Sequence, residues 1–197
     1  MYRHCEERSN PEDNMNNTGW VENKSNKNNM EKNTKKYWQY LVIAWCIHNL
    51  EEGLTMSKWL EVNEMRIPPA QFIPLSTLQQ SLPVALIIAT LALIVIPIFA
   101  IYKKWDIRLF GIVLGICLIN AIGHILTSVA IADYSPGVVT GILLNLPLSL
   151  FILKQLFNHN LLKNFTWFHI LAYGAIGLIL SVSVVWVLAF SLNFIGR

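Results

Sequence analysis

From Tyr37 onward, long uncharged runs alternate with short polar breaks. Four runs stand out: Leu82–Ile101, Leu109–Ala132, Ser135–Leu153 and Phe165–Ile195. Each reaches or approaches the length of about 20 apolar residues that crosses a bilayer as a helix, and the last is long enough to tilt strongly or to project beyond the bilayer. Breaks fall at Lys103-Lys104, at Asp133-Tyr134 and between Lys154 and Asn164. With a shorter run before them, from Tyr37 to Ile47, they predict an all-α fold: a polytopic membrane bundle of about five transmembrane helices. The bundle domain is 37–197.

The first run is too short to cross alone. It spans 11 residues, about 17 Å of helix against about 30 Å of hydrocarbon. Lys35 and Lys36 can snorkel at one end. At the other, the helix has to include His48, Glu51, Glu52 and Thr55. The stretch CIHNLEE is therefore expected inside the outer half of the membrane. His48 lies three residues before Glu51 and four before Glu52, both spacings that share a helix face. Two carboxylates facing lipid would be expensive, so they should face the bundle and have partners.

The third run carries matching groups. Asn120 and His124 are four apart in a helix otherwise made of Ile, Leu, Val, Gly and Ala. Counted along parallel helices, Asn120 and His48 both lie about 18 Å across, with His124 and the glutamates about 23–24 Å across. One shared polar site follows. In the fourth run, Ser135-Pro136-Gly137 reads as a helix start, Ser at the N-cap and Pro at the first helical position. That helix descends from the outer side and brings Thr140 into the layer, with Asn145 and Pro147 deeper. Gly111, Gly115 and Gly123 on span three, with Gly137 and Gly141 on span four, would permit close approach of those two helices.

Composition supports the bilayer reading. Charged residues make up 14% of the chain and hydrophobic ones 54%, where a soluble domain carries about 25% charged. Segment 1–36 is different: nine asparagines lie between Asn10 and Asn33 among five lysines, and this polarity predicts a disordered cytoplasmic tail with no cleavable signal peptide. The tail could touch anionic lipid; it is no basis for nucleic-acid binding. Its opening, Arg3–Glu12, resembles the translation of a palindromic repeat found in some bacterial genomes, which would make His4, Cys5, Glu6 and Glu7 incidental. Ten basic residues flank the spans on one side and three on the other. By the positive-inside rule this predicts a cytoplasmic N-terminus, an outward C-terminus and a bacterial inner membrane. Cys5, Cys46 and Cys117 have no metal-binding or redox spacing.

His48–Glu52 reads HNLEE, Asn120–His124 reads NAIGH, and Tyr134–Pro147 reads YSPGVVTGILLNLP. Taken in order over about 37–195, these blocks resemble the HXXEE family of uncharacterised bacterial membrane proteins. The resemblance marks His48, Glu51, Glu52, Asn120 and His124 as the family's polar positions and implies no activity. A comparison with CPBP-type intramembrane proteases fits less well: the arginine expected after the glutamate pair is Met56, and NxxxH replaces HxxxN.

Three uses fit the polar layer. His48, Glu51, Glu52 and His124 have the donor chemistry to hold Zn or Fe, with Glu51 or Glu52 as a catalytic base and Asn120 and Thr140 in support. Such a site would be hydrolytic or oxidative and would act on a small lipophilic or peptide substrate. A non-enzymatic alternative is proton-coupled transport, since buried Glu and His also form proton relays. A third is an accessory protein whose polar cluster pins the helices together. The amphipathic Ser57–Arg66 would lie at the interface or act as a lid. Beyond membrane lipid, the sequence names no partner.

Overall fold

The structure is a computed structural model and describes residues 11–63, 66, 73–103 and 107–195. Residues 1–10, which hold most of the repeat-like opening and Cys5, and Arg197 lie outside the described residues. The described residues contain no strand and form five helices. They are α1 (Pro11–Asn63), α2 (Leu75–Lys103), α3 (Ile107–Ile131), α4 (Val138–Asn158) and α5 (Trp167–Ile195). The protein is an all-α, multi-pass membrane bundle. Helices α2 to α5 are long and apolar enough to cross a membrane. Helix α1 falls short of that criterion because the HNLEE block interrupts its apolar run.

Two boundaries differ from the sequence reading. Helical backbone extends upstream of Tyr37 to Pro11, through the Asn/Lys-rich stretch whose composition predicts disorder. Downstream it runs without a break to Asn63, so Ser57–Asn63 prolongs α1 and does not form a separate interfacial helix.

Helix α3 is central. It packs on α5 and α4, while α1 packs on α2 and α4. The α3–α5 seam depends on glycine: a Cβ on Gly115 would stand 2.5 Å from the Ile170 carbonyl oxygen, and one on Gly174 2.5 Å from the Gly115 carbonyl carbon. Small residues let backbones meet where no hydrophobic drive between helices is available in lipid. The glycines thus serve the seam with α5 more than the expected α3–α4 one. Gly111 faces Leu162 and Ile170, Gly123 has nothing nearby, and Gly141 lies against α3 at Ala121.

Along its length the bundle is divided into two zones. Trp38, Leu41, Phe110, Leu114, Ile152, Leu153, Leu156 and Ile170 form a buried apolar layer at the amino-terminal end of the α3 crossing. Trp38 and Phe110 have ring centroids 4.4 Å apart. Polar side chains gather toward the other end. Outward faces carry Ile176, Ile179, Leu180, Val184 and Val187 on α5 and Leu143, Leu150 and Phe151 on α4, exposed as lipid-facing residues should be.

Candidate polar site in the bundle

One turn of α1 supplies His48, Glu51 and Glu52. One turn of α3 supplies Asn120 and His124, and the first turn of α4 supplies Thr140. The structure brings all six into one layer. Asn120 Nδ2 lies 2.9 Å from His48 Nε2, the two imidazole centroids are 4.9 Å apart, and His124 Nε2 is 3.2 Å from Glu52 Oε1. The matched depths of the two parallel helices thus become direct contacts.

The hydrogen bonds fix the orientation of His48. An amide NH₂ only donates, so His48 Nε2 accepts from Asn120. The single ring proton then sits on Nδ1 and is donated to Thr140 Oγ1 at 2.8 Å. Thr140 passes its own hydroxyl proton to Glu51 Oε2 at 2.5 Å. A continuous chain therefore runs Asn120, His48, Thr140, Glu51, each link with one donor and one acceptor.

The two glutamates part company. Glu51 lies against the start of α4. Its carboxylate accepts from Thr140 Oγ1, from the backbone N–H groups of Thr140 at 2.8 Å and Val139 at 3.3 Å, and from Tyr134 Oη at 2.7 Å. A carboxylate from α1 thus caps the amino-terminal turn of α4, where unpaired N–H groups and the positive dipole end favour an anion. This replaces the expected Ser135 cap: Val138 begins the helix, Gly137 precedes it at φ 82°, and no side chain of that loop caps it. Glu52 turns toward His124.

The His48, Glu52 and His124 side chains converge: one ligand atom from each lies within 4.8 Å of the others. Gly137 forms a wall: a Cβ there would stand 2.7 Å from His48 Cε1, 3.0 Å from His124 Cε1 and 3.2 Å from Glu52 Cγ. Only a residue without a side chain fits, and its positive φ is also one that glycine adopts freely. His48 is fully buried, whereas His124 and Glu52 keep 15% and 14% of their side-chain surface accessible. The cluster is therefore open on the Glu52–His124 side and sealed behind His48.

The sequence places neither Tyr134 nor Trp59 at the site, and marks Gly137 only as part of a helix start and of a close helix approach. Tyr134 lies in the loop between α3 and α4, where burial raises its phenol above the ordinary value and keeps it a proton donor to Glu51. Trp59 Nε1 donates to the Tyr134 carbonyl at 2.7 Å and ties the end of α1 across this loop. On the other side, Asn49 donates to Thr90 of α2 at 2.6 Å. The only advance signal was that Tyr134 and Gly137 flank the helix start in the YSPG block.

The family model described as a protein of unknown function with an HXXEE motif matches residues 39–152. The chain belongs to the HXXEE family. The HXXEE motif is His48–Glu52, and the match spans all six residues of the polar layer. This HXXEE protein is similar to "Uncharacterized protein YrkK" of Bacillus subtilis (strain 168), with 29% identity over 130 residues, 62% of this chain and 78% of that one. No solved structure matches.

Proposed function

We propose that this HXXEE protein is a metal-binding membrane protein of the bacterial inner membrane. In this reading His48, Glu52 and His124 hold a zinc or iron ion for hydrolytic or oxidative chemistry on a lipophilic substrate. The observation that carries the reading is the spacing of these three side chains. Tetrahedral zinc with bonds of about 2.1 Å puts its ligand atoms about 3.4 Å apart. Glu52 and His124 stand at 3.2 Å already, and the third ligand atom falls within 4.8 Å. Two imidazoles and one carboxylate form a donor set that leaves a fourth position for water or substrate. When bound, such an ion lowers the pKa of its water to about 7 and makes a nucleophile available.

The protein's own groups then have separate duties. His124 and Glu52 form the accessible side of the site, and Gly137 leaves room beside them. Glu51, with its oxygens engaged by α4 and Tyr134, holds α1 against α4. Asn120 and Thr140 set the ring plane of His48 from both sides. An ion held through His48 Nε2 would take the place of the hydrogen bond from Asn120, and one held through Nδ1 would take the place of that to Thr140. A second reading draws on the hydrogen-bonded chain from Asn120 to Glu51: the same groups are suited to moving protons, without metal.

Element analysis of protein purified in mild detergent separates the two. The metal reading expects about one equivalent of zinc or iron per chain, lost in His48→Ala, Glu52→Gln and His124→Ala and kept in Glu51→Gln. Wild-type protein that stays metal-free after incubation with either ion overturns the metal reading.

A further inference from the structure

Beneath the His48 layer lies a second set of polar groups. Helix α4 leaves the α-helical path over Gly141–Asn145, which form a π-helical turn. A π-turn followed by an α-turn sets Thr140, Asn145 and Ser149 one below another on one side of α4. Asn145 and Ser149 are both fully buried. On α1, Trp45 lies three residues before His48, its ring centroid 5.6 Å from the imidazole. The Trp45 Nε1, Asn145 Nδ2, Asn145 Oδ1 and Ser149 Oγ atoms are all buried, and no protein group among the described residues hydrogen-bonds to them. Helix α1 packs on α4 along this stretch. Farther from the site, the fully buried Leu41, Leu114, Ile152 and Leu153 close the column with hydrocarbon.

An unpaired buried amide or hydroxyl costs about 1–3 kcal/mol by mutational measures. Four such atoms in a chain this size demand a partner, and lipid has none to offer. The set is neutral and mixed, with two N–H donors, one carbonyl oxygen and one hydroxyl. An ion would require a charged counterpart, whereas a molecule that both donates and accepts meets every atom. Water does so with two to four partners in a small enclosed space.

We infer that Trp45, Asn145 and Ser149 line an enclosed inner water compartment, lying between the His48–Thr140 layer and the apolar floor. It stores water behind the candidate metal position and is not a path through the membrane. The compartment is independent of whether a metal binds. The test uses full-length protein in lipid bilayers, ¹⁵N-labelled at tryptophan, with magnetisation transferred from water to the indole N–H groups in solid-state NMR. Trp45→Phe identifies the Trp45 signal among the seven tryptophans. The Trp45 N–H of wild-type protein is expected to receive magnetisation from water, and Asn145→Leu, which fills the space with hydrocarbon, is expected to abolish it. Ser149→Ala is the milder variant and is expected to weaken it should the leucine variant not fold. A Trp45 N–H without water transfer in the wild type, or transfer unchanged in the variants, overturns the compartment.

Discussion

Glu51 and Glu52 are neighbours in the chain, set about 100° apart around α1 by helix geometry. That angle sends one carboxylate to the amino-terminal turn of α4 and the other to His124. Their substitutions should therefore differ in kind. Glu51→Gln gives up a charged acceptor at a helix terminus and is expected to lower stability by about 2 kcal/mol, read as an earlier unfolding transition in detergent. Bound metal should be retained. Glu52→Gln is expected to lose metal with a smaller change in stability. A Glu51→Gln protein as stable as wild type would show that the capping bonds contribute nothing net.

At the scale of elements, the bundle relies on two kinds of contact. Helices α1 and α4 are joined by polar side chains, whereas α3 and α5 are joined by backbone contact at Gly115 and Gly174. Gly115→Leu has to push α5 away, since its Cβ alone would overlap the Ile170 carbonyl. It is expected to cost about 3 kcal/mol or more through overpacking, with loss of the folded species in size-exclusion chromatography. Gly123 on the same helix has nothing within 4 Å of a new Cβ. Gly123→Ala should be neutral or stabilising by up to about 1 kcal/mol, because alanine favours the helix. The contrast tests the seam against a general intolerance of side chains on α3.

For the whole molecule, the number of crossings decides which sides the termini occupy. Four helices meet the length and apolarity required for a span, and α1 carries the polar motif. If α1 also crosses, the termini lie on opposite faces, and the positive-inside rule predicts the N-terminus inside. Fusions report this directly. A C-terminal alkaline phosphatase is expected to be active outside and an N-terminal fluorescent protein to fold inside. A fluorescent N-terminal fusion together with an inactive C-terminal phosphatase would put both termini inside and mean that α1 lies along the membrane, with the His/Glu layer at its surface.

Chain order and hydropathy alone carried the all-α membrane bundle, the four later spans with ends within about seven residues, and the meeting of HNLEE with NAIGH. These depend on local quantities: helix rise, apolar run length and spacing within a turn. The partition of the two glutamates did not follow from them, nor did the replacement of the Ser135 cap by a carboxylate from α1. The same holds for Gly137 as the wall of the site and for the preference of Gly111 and Gly115 for α5 over α4. Each depends on which helix lies beside which and at what rotation about its axis. Packing of distant segments sets those angles, and a one-dimensional pattern holds no record of them.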